Sequence, residues 1–85
     1  MRLDKYLKVS RLIKRRTLAK EVGDQGRIEV NGRVAKPSAE LKVGDTIKLH
    51  FSSRSLLVRV LSLSTSARKD EAAEMYEVLE ETKTL

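Results

Sequence analysis

Residues 26–35 read GRIEVNGRVA, and this stretch decides the fold class. Ile28 and Val30 alternate with polar residues, as they do on a half-buried strand. Asn31-Gly32 is the dipeptide that a two-residue hairpin turn favours, because both central positions of that turn take positive φ angles. The stretch therefore predicts a β-hairpin in which the chain returns along residues 33–35.

The chain after this hairpin repeats the same alternation twice. Residues 46–51 (TIKLHF) follow a Gly-Asp turn at residues 43–45, and residues 57–61 (LVRVL) follow a polar turn at residues 52–55. Gly, Asp and Ser are residues that turns favour, and alternating apolar and polar residues indicate half-buried strands. We therefore expect a small antiparallel sheet of short strands.

Ahead of the hairpin, the apolar residues recur at helical spacing. We expect two short helices that share one apolar side, with Ser10 at the turn between them and Ile13 filling the space where they meet. Gly23 and Gly26 are expected to end the second helix, because glycine readily takes the left-handed conformation found there. The residues assigned to the core are Leu3, Tyr6, Leu7, Leu18, Ala19 and Val22.

The last part of the chain is acidic, and we expect a short helix from about Asp70 to Met75 followed by a docking segment. The acidic residues in 71–81 either bind a basic protein surface or form a solvated helix face, and we prefer the second interpretation. The predicted fold class is α+β: two or three short N-terminal helices packed on a small, strongly twisted antiparallel sheet of about four to five strands, with a short C-terminal helix or tail.

Composition sets limits on the function. A chain of 85 residues holds one modest core. The sequence contains no Cys, which excludes a disulfide framework, a thiolate metal site and a cysteine nucleophile. Because charges are spread through residues 1–13, we expect neither a signal peptide nor a membrane span, and we expect a cytoplasmic protein.

Positive charge is concentrated in the first part of the chain. Residues 1–36 hold 11 Lys and Arg against 4 Asp and Glu (+7), whereas residues 37–85 hold 7 against 8 (−1). A local positive field attracts polyanions, so nucleic acid is the leading partner and an anionic membrane surface is the second. The alternative, that the charge only keeps a small protein in solution, explains the asymmetry less well.

The candidate binding residues lie on and around the two predicted helices. The second helix is short and leads directly into a sheet, unlike a recognition helix for the DNA major groove. Arg and Lys can instead contact the phosphates and 2′-hydroxyls of structured RNA, and the sequence has few aromatic residues for base stacking. The candidate RNA-binding residues are Arg2, Lys5, Lys8, Arg11, Lys14, Arg15, Arg16 and Lys20.

Two residues with catalytic potential are better explained without catalysis. His50 is the only His, has no evident acid partner in the sequence, and is expected to be a partly exposed strand residue. Asp4 lies in the first turn of the first helix, where a role as cap, dipole partner or anchor for a nearby Arg explains it better than acid catalysis. We therefore expect no catalytic residue, no metal site and no cofactor.

Several of these segments together resemble the RNA-binding domain named for small-subunit ribosomal protein S4. The chain departs from that family at Arg15, where Ser is usual, so the second helix loses a cap and gains a cation at its positive end. The resemblance implies an RNA-binding domain over residues 1–63, its core motif in residues 1–50, and a C-terminal extension over residues 64–85. It rests on residues 2–7 (RLDKYL), Arg16, Ala19, residues 26–32 (GRIEVNG) and residues 43–47 (VGDTI).

Residues 57–61 and 66–76 extend the resemblance to RqcP-type factors of ribosome-associated quality control, which are relatives of the ribosome-binding heat-shock protein fifteen. It implies binding to large ribosomal subunits obstructed by peptidyl-tRNA, with contacts to helix 69 of the rRNA and to the P-site tRNA. It also implies cooperation with an RqcH-type tRNA-recruiting factor while alanine tails are added. By match to the family motif, Arg2 and Arg16 are expected to contact RNA, and the other candidate cations to contact phosphates. We expect a monomer.

Three alternatives stay open. A heat-shock-type factor would rescue stalled large subunits without tail synthesis. An RNA-modifying enzyme would carry such a domain beside a catalytic one, for which we expect no room in this chain. A general chaperone or DNA-binding protein would bind duplex DNA as well as it binds ribosomal RNA.

Overall fold

The computed structural model describes residues 1–65 and 68–83. The predicted α+β class is confirmed, with two helices ahead of the first hairpin and one short helix near the C-terminus. The elements are α1 (Leu3–Val9), α2 (Arg16–Asp24), β1 (Ile28–Val30), β2 (Arg33–Val34), β3 (Thr46–His50), β4 (Arg54–Val60), α3 (Lys69–Ala72) with a following 3-10 helix (Ala73–Met75), and β5 (Tyr76–Lys83).

The strands form one antiparallel sheet in the order β2-β1-β3-β4-β5. The predicted hairpin is confirmed: Val30 lies opposite Arg33, and the two residues between them, Asn31 and Gly32, have φ angles of 53° and 82°. Positive φ at both central positions is the signature of the type I′ turn that the Asn-Gly pair predicts.

This hairpin turn is fastened to the Gly-Asp turn that precedes β3. The side-chain oxygen of Asn31 accepts a hydrogen bond from the backbone N–H of Thr46 at 3.0 Å, and its amide nitrogen donates to Asp45 Oδ1 at 3.1 Å. The other oxygen of Asp45 accepts from the backbone N–H of Lys42 at 2.8 Å. Two motifs that lie 14 residues apart in sequence are therefore parts of one hydrogen-bonded unit.

The C-terminal half differs from the sequence prediction in extent. β4 begins at Arg54 rather than at Leu57, so only Ser52 and Ser53 remain as the turn after β3. The predicted docking segment is a full strand, β5, which pairs with β4 from Tyr76 to Lys83. The residues of β5 alternate poorly because most of them are exposed at the edge of the sheet, and the strand pattern is therefore weak in the sequence.

The core lies where the apolar spacing predicted it, with one correction. Leu3, Tyr6, Leu7, Ala19 and Val22 are buried, and so is Ile13 between the helices. Leu18, which we also assigned to the core, is 44% exposed. The buried side of α2 is formed by Ala19, Val22 and Gly23, and Leu18, which lies about 100° around the helix from Ala19, falls outside it.

Gly23 does not end α2, as its sequence position suggested, but lies within it and against the loop that follows β2. A Cβ atom at position 23 would lie 2.7 Å from Cγ of Pro37, so only glycine allows this approach. Gly26, with a φ angle of 74°, makes the left-handed turn after the helix, as predicted. Carbonyl groups of the loop that contains Pro37 accept hydrogen bonds from the first N–H groups of α1.

Tyr6 connects α1 to the C-terminal part of the chain. Its buried hydroxyl donates a 2.6 Å hydrogen bond to the carbonyl oxygen of Met75, which also accepts from the backbone N–H of Leu61. Burial, and to a lesser extent the neighbouring Tyr76, raises the pKa of Tyr6 to about 12 from an ordinary value of 10. The phenol therefore stays protonated in the folded state at pH values at which an exposed tyrosine ionises.

We expect Tyr6→Phe to lower the free energy of unfolding by about 1 kcal/mol at neutral pH, because one buried hydrogen bond is lost. Because the folded state raises the pKa of Tyr6, the protonated phenol contributes its full stabilisation below pH 10. This contribution to the free energy of unfolding is lost as the pH rises toward 12. Urea unfolding across that range should show a shallower fall in stability for Tyr6→Phe than for the unaltered chain. Tyr76→Phe is the control, and equal slopes for all three proteins would contradict the prediction.

Candidate RNA-binding surface

The eight predicted cations lie at the N-cap of α1 and along that helix, on the turn after it and on the first part of α2. Seven of them are exposed, and Lys5 is half-buried. No carboxylate within residues 1–65 and 68–83 forms an ion pair with Lys8, Arg11, Lys14, Arg15 or Lys20. We call this set the basic surface: Arg2, Lys5, Lys8, Arg11, Lys14, Arg15, Arg16 and Lys20.

A buried carboxylate, Asp4, holds two arginines of the basic surface side by side. Arg2 donates to both Asp4 oxygens, through Nε and Nη2, at 3.2 Å each. Arg16 donates through Nη2 to Asp4 Oδ1 at 3.4 Å, across an interval of 12 residues. We call this arrangement the Asp4 clamp. It confirms the expectation that Asp4 anchors a nearby Arg, and it joins α1 to the start of α2.

Asp4 remains ionised although its side chain is only 1% exposed. Burial raises its pKa, but hydrogen bonds from Arg2, from Arg16 and from the backbone N–H of Lys5 outweigh burial and lower the pKa below its ordinary value. A buried carboxylate is stable when its charge is paired and its lone pairs accept hydrogen bonds, as they do here. The clamp therefore stays closed at neutral pH.

The clamp leaves most of each guanidinium free to bind another anion. The side chains of Arg2 and Arg16 are 45% and 46% exposed. A guanidinium carries five N–H donors, of which Arg2 uses two on Asp4 and Arg16 uses one. The remaining donors belong to two planar groups at a fixed spacing, which suits bidentate contact with phosphate oxygens.

Backbone hydrogen bonds fix the position of the clamp. The N–H groups of Leu3 and Asp4, at the start of α1, donate to the carbonyls of Ala39 and Pro37 at 2.8 and 3.0 Å. Arg2 also pairs with Glu40 as an isolated antiparallel bridge. The loop that packs against Gly23 thus satisfies the first donors of α1, which need partners because helix starts leave such groups unpaired.

The start of α2 lacks the usual stabilising groups. Its N-cap is Arg15, in an extended conformation and without a side-chain hydrogen bond, and its first turn contains no acidic residue. This outcome agrees with the expectation from the Arg15 departure. Arg15 and Arg16 place positive charge at the positive end of the helix dipole, which disfavours them until an anion binds nearby.

Arg11 has a left-handed backbone, with a φ angle of 63°. It follows the C-cap of α1, and its N–H donates to the carbonyl of Lys8 at 3.1 Å. Glycine is the usual residue at this position because a side chain there costs conformational energy. A cleft in this region is lined by Lys8, Arg11, Ile13 and Lys14. The left-handed backbone of Arg11 therefore places its positive charge beside those of the two lysines.

The exposed Leu18 also belongs to this region. It lines a shallow groove together with Lys14, Arg15, Thr17 and Glu21. Sequence reasoning missed Leu18 because it was counted with the core set. No local signal set Leu18 apart, because adjacent helix residues can share a core face, as Tyr6 and Leu7 do on α1.

His50 has an acid partner, contrary to the expectation from the sequence. Its Nε2 contacts Oε2 of Glu29 on the adjacent strand β1. In the strand register, Glu29 lies opposite Lys48, two residues before His50. The contact was not evident because the two residues are 21 positions apart. Within residues 1–65 and 68–83, no group of three His, Asp or Glu side chains is placed to hold a metal ion.

Comparison with known families identifies the fold that carries this surface. The sequence model of the S4 domain matches residues 1–47, which include the Asp4 clamp, the first hairpin and the Gly-Asp turn. The chain belongs to the S4 domain family. Its predicted resemblance to that family is therefore confirmed, and the family match covers every residue of the basic surface.

Similar proteins are known over nearly the whole chain. A Streptococcus pneumoniae protein named RQC P-site tRNA stabilizing factor is 59% identical over 83 residues, covering 98% of this chain and 94% of that protein. A Bacillus subtilis protein of the same name is 57% identical, covering 98% and 96%. The trimeric crystal structure of Vibrio cholerae heat shock protein 15 has a TM-score of 0.84 at 31% identity and covers 92% of this chain and 80% of that one. In the part of this chain that the structure describes, no helix is long and apolar enough to cross a membrane.

We expect Asp4→Asn to lower the free energy of unfolding by about 1–3 kcal/mol at pH 7, because two arginines lose a buried anionic partner. The lowered pKa means that this contribution is present above the ordinary value of 3.8 and is lost as the pH falls below it. Urea unfolding should therefore show a stability difference at pH 7 that shrinks toward pH 3. Asp24→Asn, at the exposed end of α2, is the control. A difference of the same size at both pH values would contradict the prediction.

Proposed function

We propose that this chain is a non-enzymatic RNA-binding factor of ribosome-associated quality control. The observation that carries the proposal is the Asp4 clamp, which presents two half-exposed guanidinium groups at a fixed spacing within a larger basic surface. Such a surface recognises the phosphates and shape of structured RNA and needs no catalytic group. The factor acts by binding energy alone, as a cytoplasmic, monomeric protein.

The names of the relatives support a narrower target. Proteins that are 59% and 57% identical to this chain are named RQC P-site tRNA stabilizing factors. We therefore propose that this chain binds large ribosomal subunits that carry peptidyl-tRNA, and that it contacts the P-site tRNA and helix 69 of the large-subunit rRNA. In this role it supports alanine-tail elongation together with an RqcH-type tRNA-recruiting factor.

We divide the basic surface into two sets by their geometry. Arg2 and Arg16 are the principal contacts, because the clamp orients both of them before RNA arrives. The remaining cations, on flexible side chains without a fixed partner, supply an electrostatic background in which each contributes less. We assign RNA binding to residues 1–63 and regard residues 64–85 as an extension of that domain.

We expect Arg2→Ala and Arg16→Ala each to weaken binding to large subunits by roughly tenfold, because each removes an oriented charged donor. Co-sedimentation with purified large subunits that carry peptidyl-tRNA measures the effect. Arg59→Ala is the matched control, because it removes an exposed arginine from β4 with the same change in charge. Denaturant unfolding of each variant separates lost contacts from lost folding.

The dependence of affinity on salt tests the electrostatic part of the same proposal. Neutralising about four to six phosphates gives a slope of about −3 to −5 for log affinity against log salt concentration. Each arginine variant should reduce the magnitude of that slope by about one. Unchanged co-sedimentation of both variants, or equal affinity of the chain for duplex DNA and ribosomal RNA, would contradict the assignment.

Arg11 provides a test in which stability and binding separate. Arg11→Asn removes the charge but keeps a residue that tolerates the left-handed backbone. We expect its stability to equal or exceed that of the unaltered chain, while its affinity for large subunits falls by a few-fold. Arg11→Gly should show the same pattern with a larger gain in stability. Loss of stability in both variants, or undiminished binding, would show that Arg11 serves the fold rather than the RNA.

A second candidate function is favoured by the structural likeness to heat shock protein 15. In that case the chain would help to recycle stalled large subunits without tail synthesis. Deletion of the gene distinguishes the two functions. Loss of alanine tails on stalled nascent chains supports the role in elongation, whereas intact tails with accumulated obstructed subunits support the recycling role.

A further inference from the structure

The edge strand β5 is built differently from the rest of the molecule. Within residues 1–65 and 68–83 it is the longest strand, with 8 residues, and it pairs with β4 on one side only. Every residue from Glu77 to Lys83 is exposed, including Val78 at 51% and Leu79. The edge of a sheet presents unpaired N–H and C=O groups that can pair with another extended segment.

The charge of this edge is opposite to that of the basic surface. Residues 70–83 contain six Asp and Glu against one Lys, a net charge of −5, whereas residues 1–36 carry +7. A phosphate backbone is repelled by such an edge, so β5 is unsuited to RNA. The same charge attracts a polypeptide segment rich in Lys or Arg.

Two of the acidic residues are well placed to meet such a segment. Glu77 and Glu80 lie opposite Arg59 and Leu57 of β4, on the sheet face away from the core. Neither forms a salt bridge with a residue that the structure describes, whereas Glu81 pairs with Arg54 at 3.6 Å. Val78 lies opposite the buried Val58 but is itself exposed. The edge thus offers two acidic side chains on one face of the sheet and an exposed apolar side chain on the other.

A second copy of this chain is a poorer occupant. Antiparallel pairing of two β5 strands would bring six glutamates together against two lysines, and like charges on paired strands destabilise the pairing. We propose that the free edge of β5 binds an extended, Lys- and Arg-rich segment of another protein by strand addition. The chain would then hold RNA on one surface and a basic protein segment on another. This proposal does not depend on the identity of the RNA.

A synthetic peptide of alternating lysine and valine, of the same length as β5, is the probe for this edge. We expect it to shift the amide NMR signals of residues 76–83 more than those of α1 and α2. A peptide with glutamate in place of lysine should not bind. A peptide with the same sequence but N-methylated at alternate residues keeps the charge and loses the hydrogen bonds of one edge, so we expect roughly tenfold weaker binding.

The matching protein variant is Glu77→Lys combined with Glu80→Lys, which should weaken binding of the lysine–valine peptide by roughly tenfold. Asp24→Lys combined with Glu74→Lys makes the same change in net charge outside the strand and should alter affinity by less than about twofold. Both double variants should still bind large subunits, so a failure here is distinct from a failure of the RNA proposal.

Three results would overturn the proposal. If the N-methylated peptide bound as tightly as the unmodified one, charge alone would account for the interaction. Equal weakening by both double variants would show that the edge has no special part in it. Sedimentation equilibrium that shows self-association, lost in the Glu77 and Glu80 double variant, would identify a second copy of the chain as the occupant.

Discussion

The buried carboxylate of Asp4 is the constraint on which the functional surface depends. It is ionised, 1% exposed and paired with Arg2 and Arg16, so two long side chains that would otherwise sample many rotamers are held in one geometry. The loss of side-chain entropy occurs on folding rather than on binding. A charged pair buried in this way adds little to net stability, but breaking it leaves an uncompensated charge, which favours a single arrangement of α1 and α2.

The Asn-Gly turn of the first hairpin and the Gly-Asp turn before β3 help to hold the clamp in place. Asn31 and Asp45 fasten the first hairpin to the Gly-Asp turn, and the loop between them passes over Gly23. Carbonyls of that loop accept the first N–H groups of α1. The motif residues of the S4 family are therefore not separate signals, because they form a connected path of hydrogen bonds and close contacts from the hairpin to Asp4.

Local rules were enough to predict the features that depend on interactions between residues close together in the sequence. The Asn-Gly turn, the buried positions Leu3, Tyr6 and Leu7, and the departure at Arg15 all follow from propensity and spacing within a few residues. What the sequence could not supply depends on distant partners. The contact of His50 with Glu29 joins adjacent strands, and β5 is a strand because β4 lies beside it. Leu18 was assigned to the core because the direction of α2 relative to the sheet is a tertiary property.

Three departures from local preference lie close together in this chain. Arg11 occupies a left-handed position that favours glycine, Arg15 starts a helix without a cap, and Leu18 is an exposed leucine. Each of these departures carries a small cost, of the order of 1 kcal/mol or less. All three belong to the region around the turn between α1 and α2, beside the clamp. Costs that collect at one exposed, positively charged site are most simply explained by a ligand that offsets them, and an RNA phosphate backbone has the charge to do so.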